Sequence, residues 1–183
     1  MKTSFNLKAS LVVATLLSLS VAQAATISKD QYKADKTRIS ADFKADKAAC
    51  AALSANAKDI CVQEAKAKET VARAELEYSY SGKAGDRTKV LEAKAKSAYA
   101  VAKEKCDERA GNAKDVCVKE AKAVEVKALA DIKLGKKIGE AKKEASDDKR
   151  DANYKVAVEK CDALAGNTKT NCVAAAKAKF GKN

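Results

Sequence analysis

Residues 105–117 read KCDERAGNAKDVC, and the same frame occurs at 49–61 as ACAALSANAKDIC and at 160–172 as KCDALAGNTKTNC. The three copies place their cysteines at Cys50/Cys61, Cys106/Cys117 and Cys161/Cys172, so the pairs recur at intervals of 56 and 55 residues. Asn56, Asn112 and Asn167 each lie six residues after the first cysteine, with Lys58, Lys114 and Lys169 two residues further on. In the second and third copies an Ala-Gly-Asn step sits between the cysteines. Glycine reaches the left-handed backbone region that commonly ends a helix, and asparagine is a favoured helix cap. The frame therefore reads as the tip of an αα-hairpin, with Gly111 or Gly166 at the reversal and Asn112 or Asn167 capping the next helix. The first copy has Ala55 in place of glycine, so its turn is expected to be built differently or to carry strain.

Periodicity extends the helices outward from each tip. Leu91, Ala95, Ala98, Ala102 and Cys106 follow steps of three and four, as do Cys117, Ala121, Val124, Ala128 and Ile132; each set predicts one buried helical stripe. Between tips, Gly82-Lys83-Ala84-Gly85 and Gly135-Lys136-Lys137-Ile138-Gly139 look like repeat boundaries. The expected fold is all-α: three tandem disulfide-stapled αα-hairpins, about six helices, closing into a bundle or running as an elongated array. The expected divisions are 1–24 signal peptide, 25–81 repeat one, 82–137 repeat two and 138–183 a shortened repeat three. Charge concentrated in EASDDKRDAN at 144–153 interrupts the stripe and predicts a mobile or solvent-bridging stretch.

Lys2 and Lys8, the apolar run Leu11 to Val21, and Ala22-Gln23-Ala24 have the form of a secretory leader cleaved after Ala24. The run is too short to span a bilayer, and no later stretch is apolar enough to do so. Export to a periplasmic or extracellular space is expected. There, an even number of regularly spaced cysteines reads first as a disulfide set. Bonding within pairs is the leading reading; metal binding, shuffled pairing and free thiols are the alternatives. Zinc sites favour closer Cys pairs or histidines, and the chain has no histidine. The absence of a CxxC also weakens a redox role.

Removing Lys2 and Lys8 with the leader lowers the formal charge from +12 to +10. Leu, Ile, Val and Phe supply only about 15% of what remains, below the roughly 20% at which high charge begins to suggest disorder. Alanine, lysine and glutamate, all strong helix formers, fill the chain. Helix is therefore expected over a thin core. Catalysis is not expected, because no nucleophile motif, phosphate loop or Asp-rich calcium loop is present and the acids are interleaved with lysines as in solvated helix pairs, Glu64/Lys68 for example. No catalytic residue, cofactor site, metal site or small-molecule substrate is assigned.

Phe43, Tyr99 and Tyr154 each precede the first cysteine of their pair by seven residues. Two helical turns put ring and sulfur on one face, so each ring is expected to fill the groove below its disulfide rather than serve as a ligand platform. Tyr78 and Tyr80 precede the first joint and are expected to be partly exposed. Lys133, Lys136, Lys137, Lys142 and Lys143 gather about the second joint, and Lys177, Lys179 and Lys182 form a basic end without a neighbouring acid in sequence. These eight are the candidate anion contacts.

The runs QEAKAKETVARAELE, LEAKAKSAYAVAKEKC and KEAKAVEVKALADIK resemble the Ala/Lys/Glu-rich helical middle region of TolA-like bacterial cell-envelope proteins. The resemblance is one of composition and spans most of the chain. It implies an elongated helical protein of the envelope. The cleavable leader and the cysteine pairs depart from that family, so a force-transducing role does not carry over. Two functions follow as expectations. One is a non-enzymatic structural or interaction protein of the envelope, stress-related in one version, packing against itself or an envelope partner. The other is a basic binder of polyanions such as lipopolysaccharide, cell-wall polymer, extracellular DNA or an anionic lipid surface.

Overall fold

The computed structural model describes residues 26–182; the leader expected at 1–24 lies outside them. Five α-helices follow in order: α1 (Lys29–Ala49), α2 (Ala55–Ser81), α3 (Ala84–Cys106), α4 (Gly111–Cys161) and α5 (Gly166–Phe180), with a short 3₁₀ turn at Cys50–Ala52 between α1 and α2. There is no strand among the described residues. Packing follows chain order: α1 lies on α2, α2 on α3, α3 on α4 and α4 on α5, with no other pair of helices in close contact among the described residues. The helices form an open series rather than a closed core.

Three disulfides tie consecutive elements at the tips, Cys50–Cys61, Cys106–Cys117 and Cys161–Cys172, with Cα atoms 5.6, 5.6 and 5.7 Å apart. Cys50, Cys106 and Cys161 are the most deeply buried side chains in the described chain. That fits a protein in which sulfur, alanine and a few branched residues make up the interior. Besides these cysteines only Ile39, Ala65, Leu76, Val90 and Ala176 are buried apolar residues among those described.

The tips depart from expectation in one detail. Gly111 and Gly166 do take the left-handed conformation, each with φ of 55°, and Ala55 adopts it too, with φ of 48°. They open the following helix instead of ending the preceding one, so Asn56, Asn112 and Asn167 are second helical residues and cap nothing; Ser54, Ala110 and Ala165 hold the cap positions without a side-chain bond. The recurrent lysine has its own role. Lys114 reaches back across the tip to Asp107 at 3.0 Å, and Lys169 to Asp162 at 3.1 Å.

The expected sixth helix does not exist as a separate element. The second joint, Gly135 to Gly139, and the charged stretch 144–153 both lie inside α4, which runs unbroken for 51 residues, about 76 Å at 1.5 Å per residue. Two glycines cost a helix about 1 kcal/mol each relative to alanine, and the lysines, leucine and alanine around them favour helix enough to carry the chain through. The first joint is different. At Gly82 the backbone turns left-handed, with φ of 63°, and the Gly82 N–H caps the Tyr78 carbonyl at 2.8 Å.

The stripes are also rotated from their predicted positions. Val90, Ser97 and Cys106 are the buried residues of α3, while Leu91 is exposed. On α4, Glu125 is buried at 6% exposure and its neighbour Val124 is 69% exposed. Glu125 tolerates the seam because Lys122 donates to it at 2.6 Å. Glu64 and Lys68 do not pair with one another. Lys68 crosses to Asp46 of α1 at 2.8 Å and Glu64 to Lys105 of α3 at 2.7 Å, while Glu75 meets Lys94 of α3 at 2.7 Å.

Candidate functional site

The middle of α4 is the only long helical stretch in the described chain without a partner. The 23 residues of α3 accompany its first part and the 15 residues of α5 its last. Every residue from 133 to 146 is exposed. Four of the five lysines proposed from sequence, Lys133, Lys136, Lys137 and Lys143, fall on one arc of about 120° at 100° per residue, and Lys142 points to the other side. Lys136 pairs with Glu140 at 3.8 Å and Lys143 with Asp147 at 3.4 Å. Lys133, Lys137 and Lys142 make no ion pair among the described residues. The joint thus presents cations on a bare helical rod, a surface suited to phosphate or sulfate groups arranged along a polymer.

The basic end is less free than its sequence implies. Lys182 forms an ion pair with Asp151 of α4 at 2.5 Å, and this hydrogen bond holds the Asp151 carboxyl below the usual carboxylate range. Lys179 lies over the Phe180 ring, 5.5 Å from its centroid, and Phe180 meets Tyr154 edge-on at 6.2 Å. Only Lys177 of the three is an exposed cation with neither kind of partner among the described residues. The acid that engages Lys182 is 31 residues away in sequence, so no local reading finds it. The two lysine groups do not form one site, since one lies at mid-α4 and the other at the α5 end.

A groove of about 370 Å³ between α1 and α2 has an apolar floor of Ile39, Phe43, Ala72 and Leu76. Its charges are internally matched: Arg38 lies 3.1 Å from Asp35 and 3.5 Å from Asp42, and Lys68 2.8 Å from Asp46. The Asp35 carboxyl is held low chiefly by the Gln31 amide and then by Arg38, and the Lys68 ammonium is held high by Asp46. Phe43, Tyr99 and Tyr154 are all half-buried. Lys122 sits 4.8 Å from the Tyr99 ring centroid. Tyr80 is exposed and stacks, tilted, on Tyr32 at 4.7 Å, whose hydroxyl donates to Glu77.

No group of His, Cys, Asp and Glu among the described residues has the proximity to hold a metal ion, and no described helix is long and apolar enough to cross a membrane. Compared with protein-family models, curated proteins and solved structures, the chain matches none of them.

Proposed function

We propose that this chain is an exported structural or interaction protein of the bacterial cell envelope, a string of disulfide-stapled helical hairpins used as a spacer. The observation that carries this reading is the serial packing, in which, among the described residues, each helix contacts only its chain neighbours and α4 alone extends 51 residues. Such an arrangement spends its sequence on length rather than on a core or an enclosed cavity. Three disulfides suit an oxidising compartment, and they supply stability that so few buried apolar residues do not. An envelope protein bound along the rod, or a second copy of the chain, is the partner this role calls for.

A second reading, a polyanion binder, is favoured by the three unpaired lysines of the bare α4 segment. The two readings separate in cells lacking the chain and complemented with variants. Deleting residues 136–146 removes about three helical turns with almost no change of phase. A spacer loses its effect on envelope integrity, scored as detergent sensitivity, when shortened in this way and keeps it when the five lysines become glutamine. A polyanion binder shows the reverse sensitivity to the lysine changes. Retention of full function by the shortened chain would remove the spacer reading.

A further inference from the structure

Glu120, Val124, Asp131, Ile138, Lys149, Val156 and Lys160 lie on one line along α4, within about 40° of one another at 100° per residue. All seven are exposed. The three apolar members stand well out of the surface: Val124 at 69%, Ile138 at 46% and Val156 at 54%. None of the four charged members makes an ion pair among the described residues. This line faces away from Lys122, which lies over Tyr99 of α3, from Tyr154, which meets Phe180 of α5, and from Asp151, which pairs with Lys182 just past α5.

The repeat supplies the meaning of the line. Shifting Glu64 and Glu75 of α2 by 56 residues gives Glu120 and Asp131; shifting Lys94 and Lys105 of α3 by 55 gives Lys149 and Lys160. In the α2–α3 seam these residues are partners, Glu64 with Lys105 and Glu75 with Lys94, each at 2.7 Å. The order of the two pairs makes that seam antiparallel. The chain reverses at Gly82, so α2 and α3 can meet. It does not reverse at Gly135–Gly139, so the corresponding halves of α4 are held apart on one straight rod with their ion-pair groups unused.

We infer that a second copy of this chain completes the seam, with two α4 helices lying antiparallel about a two-fold axis near residue 140. Glu120 and Lys160 are equidistant from that residue, as are Asp131 and Lys149, Val124 and Val156, and Ile138 and Lys142. Glu120 of each copy then meets Lys160 of the other, and Asp131 meets Lys149, giving four ion pairs of the kind seen between α2 and α3. The exposed valines face one another, and the Lys142 stem covers Ile138. A closed two-fold interface uses the same patch on both chains and leaves no edge for further growth. The lysine arc of Lys133, Lys136, Lys137 and Lys143 stays outside it. As a choice of partner this rests on the structural-protein reading, whose own test is the shortened α4 in cells.

Two charge-reversed chains test the pairing. Glu120→Lys with Asp131→Lys makes the line wholly basic, and Lys149→Glu with Lys160→Glu makes it wholly acidic. The parent chain without its leader sediments as a dimer at low salt. Each variant, with helicity checked by circular dichroism, shifts towards monomer with a dissociation constant raised roughly tenfold or more, since about four pairs worth some tenths of a kcal/mol each become repulsive. Mixing the two variants restores a dimer, because all four contacts are then complementary between unlike chains. A monomeric parent, unchanged association in either variant, or a mixture that stays monomeric overturns the inference. The first of these, a monomeric parent, is the outcome expected if α4 instead breaks at Gly135–Gly139 and folds back on itself.

Discussion

The Ser81 hydroxyl donates to the Asp86 carboxylate at 2.6 Å, across the two-residue connection between α2 and α3. Lys89 also donates to Asp86, at 2.8 Å, and the Lys83 N–H donates to the Ser81 oxygen at 3.2 Å. One carboxylate thus gathers the turn that the chain uses to reverse direction, at the start of α3 where the helix dipole also favours negative charge.

These bonds, Lys89 first and Ser81 second, hold the Asp86 carboxyl below its ordinary value. A carboxylate with a lowered folded pKa contributes stability above its unfolded pKa of about 4 and loses that contribution as pH falls through the lower folded value. Asp35 and Asp151 are shifted the same way. Melting temperature should therefore be flat near neutrality and fall below about pH 4. Asp86→Asn should lower the neutral-pH melt and make the acid-side decline shallower. Thermal melts of both chains across that range check this, and parallel acid limbs would remove Asp86 as a contributor.

Ala55 pays for its φ of 48° in strain that Gly111 and Gly166, at 55°, avoid. The left-handed region costs a residue with a side chain about 1–2 kcal/mol, offset in part by the greater unfolded freedom of glycine. Ala55→Gly should stabilise the protein by roughly 0.5–1 kcal/mol, and Gly111→Ala should destabilise it by about 1 kcal/mol. No atom comes near a Cβ built on Gly111, so that loss would report backbone conformation and not a clash. Chemical denaturation of the two variants gives both numbers, and a destabilising Ala55→Gly would contradict the assignment.

Each disulfide closes a loop between cysteines 11 apart in sequence. On chain-entropy grounds such a bridge is worth about 3 kcal/mol, large against the burial of only eight apolar residues among those described. Replacing Cys106 and Cys117 together by serine should lower the melting temperature markedly while leaving the spectrum helical, and reduction of all three should lower it further. Non-reducing peptide mapping should recover only the three pairs within tips. A melt indifferent to reductant would show that the helices stand without their staples.

The tips were legible because their signals are local and covalent. Identical cysteine spacing fixed the pairing that the structure contains, and glycine at 111 and 166 marked the left-handed residue even though the helix boundary lies on its other side. The rest was obscured by the chain's own monotony. In alanine-rich helices the apolar face differs little from its neighbours, so Val124 and Glu125 exchanged expected places once Lys122 neutralised the acid. The second joint misled because glycine in a helix is a cost and not a prohibition. Left-handed Gly82 with the Ser81–Asp86 contact makes the first joint a turn; residues 135–139 remain in α4. At the basic end, Asp151 lies too far along the sequence for local charge counting to pair it with Lys182.

The cations of the bare α4 segment make the final prediction quantitative. Displacing counterions from duplex DNA gives a slope of log K against log salt near 0.9 for each phosphate neutralised. Lys136 and Lys143 already have carboxylates at 3.8 and 3.4 Å, whereas Lys133, Lys137 and Lys142 have none among the described residues. Because Lys142 lies on the other side of the helix, Lys133 and Lys137 are the unpaired cations that one bound polymer meets, and replacing all five by glutamine should therefore flatten the slope by about 2 rather than the roughly 4.5 that five free cations on one face would give. Helicity should be kept, because glutamine is a comparable helix former. Lys182→Gln should instead leave the slope nearly unchanged and loosen α5 on α4, because its charge is spent on Asp151. Binding titrations on DNA and lipopolysaccharide at several salt concentrations read both effects. An unaltered slope in the five-lysine variant would move anion contact away from mid-α4, and no binding at low salt would leave the lysines as solubilising charge alone.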